Sequence, residues 1–279
     1  MKIKNNLLDK KVIQQFVSLV AIIELILSLI LIFIDIPQNY KKGCGIVFFV
    51  ILITIYSIIW ILSNKIRNIN IIINNSKVEI KYGDIFEESG KKVIAFNEYF
   101  DTCVDDNIIN SQSINGQFIL NNITDIDEFD KLISQKLRER NKKPIIDRSR
   151  KIGKKEKFSL GTMIKYNKDF LLMSFTRFNA NNCAELSMQE YITCLIEMWN
   201  ELDILYSQDT IVIPLLGNGT TRFKDYKISE QELLELILWT FKISKIKFTY
   251  PSKLIIVLHL SVMDKINLYK IKEEYKYVI

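Results

Sequence analysis

Two stretches of this sequence are too apolar to lie in water. Residues 12–34 are interrupted only by Gln14, Gln15, Glu24 and a few serines, and residues 45–62 carry no charge at all. As a helix, the second run spans about 27 Å at about 1.5 Å per residue, close to the hydrocarbon thickness of a bilayer. Only a structure that satisfies its own backbone polar groups can cross there, which means helices at about 12–34 and 45–62. A cleaved leader would account for the first run but not for a second one so close behind it. The loop between them, 35–44, holds Pro37, Asn39 and Gly43 and predicts a tight turn, so residues 1–68 read as an antiparallel hairpin.

Lysine and arginine near the helix ends set the orientation. Lys2, Lys4, Lys10 and Lys11 precede the first helix, Lys65 and Arg67 follow the second, and the loop has only Lys41 and Lys42. By the positive-inside rule, the expected location is the inner membrane, multi-pass, with both termini cytoplasmic. Trp60 fits an interfacial aromatic anchor. Glu24 is the outlier, because an ionisable group at mid-membrane faces a partner helix or a wet path, or is neutral and hydrogen-bonded to Tyr56 or Ser57. Two helices cannot enclose a pore, so any conduction requires several copies.

Residues 69–279 read differently. Charge is concentrated there, and the chain's net charge of +6 favours an anionic partner such as lipid or phosphate without arguing for nucleic acid. Cys44, Cys103, Cys183 and Cys194 lack CxxC spacing and His259 is the only histidine, so no zinc site is expected and the cysteines read as reduced and structural. Strands are expected at 71–73, 77–82, 92–96, 170–176, 210–214 and 253–260. Helices are expected at 125–140, 187–205, 229–244 and from 262 onward, with a capping box from Ser229 to Glu232. His259 falls inside the last strand and reads as a core residue. The basic segment 142–157 reads as a solvated connection that could lie on anionic lipid. Strands alternating with helices predict an α/β fold, a mostly parallel mixed sheet between two helical layers.

Candidate chemistry lies where strands end. Residues 213–223, Ile-Pro-Leu-Leu-Gly-Asn-Gly-Thr-Thr-Arg-Phe, put Gly217 and Gly219 after a strand, where they make either a plain turn or a cradle of backbone N–H groups for phosphate. The run lacks the Gly-Lys-Ser/Thr of a Walker loop and the third glycine of GxGxxG. Gly83-Asp84-Ile85 ends one strand and Asn97 another, and ligands of parallel α/β sheets sit outside the carboxyl ends of strands. A carboxylate for an exocyclic amine, an amide for a ribose and a glycine loop for phosphates suit an ADP-ribose-like ligand.

These residues resemble the macro-domain family. Asn97–Thr102, Val104-Asp105-Asp106, the segment 113–118, Ser159-Leu160-Gly161-Thr162 and residues 215–223 are similar to the macro domain of Thoeris ThsA effectors of the transmembrane-macro type. Those effectors also begin with two membrane helices, so the resemblance covers the whole chain. It implies a macro-like three-layer domain behind the hairpin, and a signal-binding effector without catalytic residues or cofactor. In Thoeris anti-phage defence a TIR-domain, NAD-consuming protein makes an ADP-ribose-derived signal, for this type a histidine–ADP-ribose conjugate. The macro domain binds it, the protein forms a homo-oligomer, and the membrane is disrupted, which ends in abortive infection.

Carried over by position, Asp84 with Ile85 would meet adenine, and Asn97 with Phe100 and Asp101 the distal ribose. Ser113, Ile114, Asn115, Gly116 and Gln117, with Leu216, Gly217, Asn218, Gly219, Thr220, Thr221 and Arg222, would embrace the diphosphate and the far end. The first of these loops departs from hydrolytic macro domains in having a single glycine. The alternative is a membrane-tethered ADP-ribosyl hydrolase using Asp101 to activate water.

Overall fold

The computed structural model describes residues 5–179 and 182–276. They form two compact units. Among the described residues, the first comprises 5–69 together with 267–276, and the second runs from Asn70 to Ile266.

The first unit holds α1 (Lys10–Phe33) and α2 (Gln38–Lys65), each with an 18-residue stretch long and apolar enough to cross a membrane. Asp9 caps α1 by accepting from the Lys11 and Val12 amides. The expected loop is shorter than its turn residues suggested. Pro37 stands at the N-cap of α2, so Lys41, Lys42 and Gly43 are helical. A proline is tolerated before the first turn because its missing N–H is not needed there. Tyr56 and Ser57 donate to the carbonyls of Leu7 and Ile53, so neither serves Glu24. Trp60 donates its indole N–H to the Asn5 carbonyl (3.0 Å), and Asn5 also bonds Ser63 and Asn64, so the lower end of the hairpin is tied together.

The last helix belongs to this unit. It starts at Leu268, later than expected, and ends at Glu274 (here α7). Its Tyr269 hydroxyl donates to Gln15 (2.8 Å), and Lys11 donates to the Lys270 carbonyl (3.1 Å).

The second unit is built on a nine-stranded sheet. The strands are β1 (Asn68–Ile73), β2 (Ser76–Tyr82), β3 (Lys91–Asn97), β6 (Met163–Lys165), β7 (Phe170–Phe178), β8 (Ala184–Leu186), β9 (Ile211–Pro214), β10 (Arg222–Phe223) and β11 (Leu254–Leu258). The order is β1-β2-β11-β9-β3-β7-β8-β10, with β6 beside β7. β2, β11, β9, β3 and β7 run parallel, while β6 and β8 are antiparallel to β7. β4 (Ile145–Ile146) and β5 (Glu156–Lys157) form a separate antiparallel ribbon. Asn74 and Asn75 take positive φ, which a two-residue hairpin between right-twisted strands demands.

Four helices cover the sheet: α3 (Ile114–Asn122), α4 (Ile126–Glu139), α5 (Met188–Leu205) and α6 (Glu230–Ile243). Ile94, Phe96 and Leu172 pack with Phe118 of α3 and with Phe129, Ile133 and Leu137 of α4. Phe175, three positions from Leu172, points to the other face and meets Tyr191 of α5 at 6.0 Å. On that face Trp199 of α5 meets Phe241 of α6 at 5.0 Å and donates to Thr240 (3.0 Å). This is the expected α/β architecture of three layers. Both α5 and α6 begin with capping boxes, from Ser187 and Ser229.

Phe118 is fully buried and touches Phe96, Phe129, Tyr166 and Phe170. Phe118→Ala is expected to cost about 3–5 kcal/mol, read as a lowered midpoint in denaturant unfolding of the purified full chain.

Candidate functional site

The parallel strands bring their carboxyl ends to one edge, where three features meet. β2 ends at Tyr82, and Asp84 follows as the exposed N-cap of a short 3-10 turn, its carboxylate accepting from the Phe86 amide at 2.9 Å. After β9 comes the glycine loop. The chain after β3 leads to α3, whose N-cap Ser113 accepts from the Gly116 amide (3.0 Å) and donates to the Asn110 carbonyl (2.7 Å). Ile85 is buried with Val212 of β9 and with Ile255 and Val257 of β11, and Ile114 packs on that group. One apolar cluster therefore draws the start of α3 towards the Asp84 turn.

Two glycines are required by this geometry. A Cβ on Gly116 would lie 2.3 Å from the Asn110 carbonyl oxygen, so the first turn of α3 rests directly on the preceding backbone. Gly217 has φ +88, and a side chain there would meet Leu233, Phe223 and Tyr191. Beside it, Leu216 is buried and its carbonyl accepts from Tyr191 Oη at 3.0 Å, which anchors the loop to α5. Gly217 and Asn218 are half-buried, whereas Gly219 and Thr220 are exposed with open space at Gly219. Thr221 is half-buried, and Arg222 is exposed in β10, registered opposite Glu185 of β8. Gln117 donates to the Gln112 carbonyl (3.1 Å), and the buried Asn115 Oδ1 lacks a hydrogen-bond partner among the described residues.

Asn97 and Asp101 lie deeper than their expected roles suggest. Asn97 ends β3, accepts from the Tyr99 and Asp101 amides (3.0 and 3.3 Å) and donates to Asp101 (2.9 Å). Asp101 is 2% exposed and takes further bonds from Arg150 (2.6 Å) and the Lys154 amide (2.9 Å). Phe100 is a core residue, packed on Phe96 and Phe158, each at 5.8 Å. Ile85 and Phe100 thus give their side chains to the core.

The structure corrects two readings. The segment 142–157 is not simply solvated, because the side chain of Arg150 is buried: its guanidinium lies 3.7 Å from the centre of the Tyr99 ring and pairs with Asp101. Sequence reading missed Arg150, Lys154 and Tyr99, and the available signal was the need of a buried Asp101 for a counter-charge. His259 is not a strand residue, since β11 ends at Leu258. It is exposed at the same carboxyl edge, capping a 3-10 turn (Leu260–Val262) through Ser261.

Tyr99 also donates to Asp147 (2.8 Å). Hydrogen bonds from the Ser149 hydroxyl, then from Tyr99, pull the Asp147 carboxyl down to about 2, and burial pushes the Tyr99 phenol up. Cys194 is fully buried against β7, and burial pushes its thiol up to about 12. No group of metal-binding side chains occurs among the described residues.

A mostly parallel sheet between two helical layers, with a carboxylate, a helix N-terminus and a glycine loop at its carboxyl edge, is an α/β domain of the macro type. The family model described as "Thoeris protein ThsA, Macro domain" matches residues 78–259. A relative named Thoeris protein ThsA, from Bacillus amyloliquefaciens strain Y2, is 38% identical over 98% of this chain and 92% of its own length. The chain therefore belongs to the Thoeris ThsA macro-domain family. Among solved structures, the Oceanobacillus iheyensis macrodomain with ADP is similar over 76% of this chain and 96% of that one, at 15% identity and a TM-score of 0.45. The same macrodomain with MES bound gives 75% and 96% coverage, 15% identity and 0.44.

Gly116→Ala is expected to displace α3 from the Asn110 backbone, at a cost of about 1–3 kcal/mol of overpacking, measured as a lower thermal midpoint. The Asp147 bonds stabilise above the unfolded pKa of 3.8 and are lost as pH falls through about 2. Asp147→Asn should therefore melt below the parent at neutral pH, with the two curves converging towards pH 2.

Proposed function

We propose that this chain is a membrane effector of Thoeris anti-phage defence whose macro domain binds an ADP-ribose-derived signal, histidine–ADP-ribose, made by a TIR-domain protein. The observation that carries the reading is the convergence of Asp84, the start of α3 and the loop after β9 on one edge of the sheet. In this reading the Asp84 carboxylate accepts from the adenine amine. The amides of α3's first turn and of residues 216–221 face the diphosphate, where a helix N-terminus and a bent backbone favour negative charge. Arg222 and Gln117 serve the far end. Asn97 and Asp101 shape the ribose subsite, with Arg150 holding them in place.

Residues 1–68, joined at their foot by α7, form the output module, and the macro domain between them is the sensor. The hairpin spans the inner membrane with both termini cytoplasmic, Trp60 marks the cytoplasmic interface, and Glu24 faces a neighbouring copy in the active assembly. Signal binding switches the protein only through tighter binding to the active assembly than to the resting one, by roughly 10⁴-fold for a complete swing. The resulting homo-oligomer disrupts the bilayer and ends the infection.

Binding without turnover is favoured over hydrolysis by the state of Asp101. A carboxylate already held by a guanidinium, an amide and a backbone N–H is poorly placed to take a proton from water. Calorimetry of the full chain in detergent with ADP-ribose, NAD and histidine–ADP-ribose is expected to show tight binding of the last alone. Asp84→Ala should weaken it by about tenfold, the worth of one charge-assisted hydrogen bond. Absence of binding to all three would overturn the reading.

A further inference from the structure

The outer face of α5 and α6 is apolar at its centre. Trp239 is 49% exposed, Ile243 53% and Ile196 37%, and Ile192 of α5 and Leu236 of α6, one helical turn before Ile196 and three residues before Trp239, are half-buried. The Trp199–Thr240 bond and the Trp199–Phe241 contact hold the two helices side by side, so these residues form one patch instead of scattered exposures. Along α6, residues 232, 235, 236, 239, 242 and 243 share one face by helical spacing. That face is ordered by charge: Glu232 and Glu235 at the amino end, Trp239 in the middle, Lys242 with the following Lys245 at the carboxyl end.

We propose that this face is a two-fold contact between two copies of the chain. In an antiparallel crossing centred on Trp239, positions 235 and 236 of one copy lie beside 242 and 243 of the other, so Glu235 meets Lys242 and Leu236 meets Ile243. Each acidic end then meets the basic end of the second copy, and the two tryptophans pack at the centre. A patch that matches its own reverse is what a two-fold axis requires. Lysines beside a tryptophan would also suit an anionic bilayer, but Glu232 and Glu235 on the same face would be repelled by it. A patch of this size is modest for soluble partners and gains from confinement of copies to one membrane. The contact is present before any signal arrives, is the unit on which the signal-driven homo-oligomer builds, and rests on the proposed function only for this confinement.

The test uses the full chain reconstituted in phosphatidylcholine vesicles, with donor- and acceptor-labelled copies mixed at varied density and energy transfer read without nucleotide. Its outcome is therefore independent of the identity of the signal. Glu235→Lys and Lys242→Glu singly are expected to weaken association by about tenfold or more. The double variant, which exchanges the two ends, is expected to return close to the parent, a recovery that mere misfolding would not give. Trp239→Ala should weaken association by about thirtyfold as a central anchor. Unchanged association in the single variants, a double variant impaired as the sum of the two, or a parent that stays monomeric at every density would overturn the proposal.

Discussion

The Asp101 carboxylate is withdrawn from water and held by Arg150, by Asn97 and by the Lys154 amide. Burying such a charge costs several kcal/mol unless it is paired and its remaining lone pairs are bonded, and removing one partner leaves that cost uncompensated. The pair therefore dictates where neighbouring segments lie. Arg150 must come down onto Tyr99, which brings the ribbon of β4 and β5 over the end of β3. Asn97 is locked by the same carboxylate, so the chain leaving β3 has one path towards α3. The cluster is a framework at the carboxyl end of β3.

The second constraint is the sheet. Parallel strands need crossovers, which here deliver α3 and α4 to one face and α5 and α6 to the other, and leave the carboxyl ends free of helix bodies. That is why Asp84, His259 and the loop from Leu215 share an edge although they are far apart in sequence. Gly217 lets the loop turn where a side chain would strike Leu233, Phe223 and Tyr191, and Tyr191 fastens the loop to α5. The last segment leaves this unit after Ile266, and its helix α7 joins the foot of the hairpin through Tyr269 and Lys11. Residues 259–267 are thus a covalent link from the carboxyl end of β11 to the unit that holds the hairpin.

Where local pattern and tertiary demand agree, sequence reading placed the elements within a few residues. α4, α5 and α6 were legible from apolar spacing and capping residues, and β3, β7 and β9 from compact apolar runs. It read less well where distant partners decide. α3 is a helix in a stretch whose local pattern reads as loop, because Ser113 caps it and Phe118 finds four aromatic neighbours contributed by β3, α4, β7 and the turn before β7. Residues 222–223 look like the tail of a glycine loop and become β10, since β8 offers an open ladder. Arg150 looked like one cation in a soluble run until the fold set a buried carboxylate beside it.

By itself, the sequence determined the two apolar helices, the order of strands and helices, and the glycines and capping residues at their ends. Each of these follows from interactions within a few turns of chain or from transfer of side chains out of water, and both are written in local composition. The tertiary structure alone decided which strand ends meet, that Asp101 and Asn97 serve the framework, that His259 stands at the open edge, and that α7 belongs with the hairpin. Those outcomes depend on pairings between residues tens of positions apart, whose energies exist only once the sheet has brought them together.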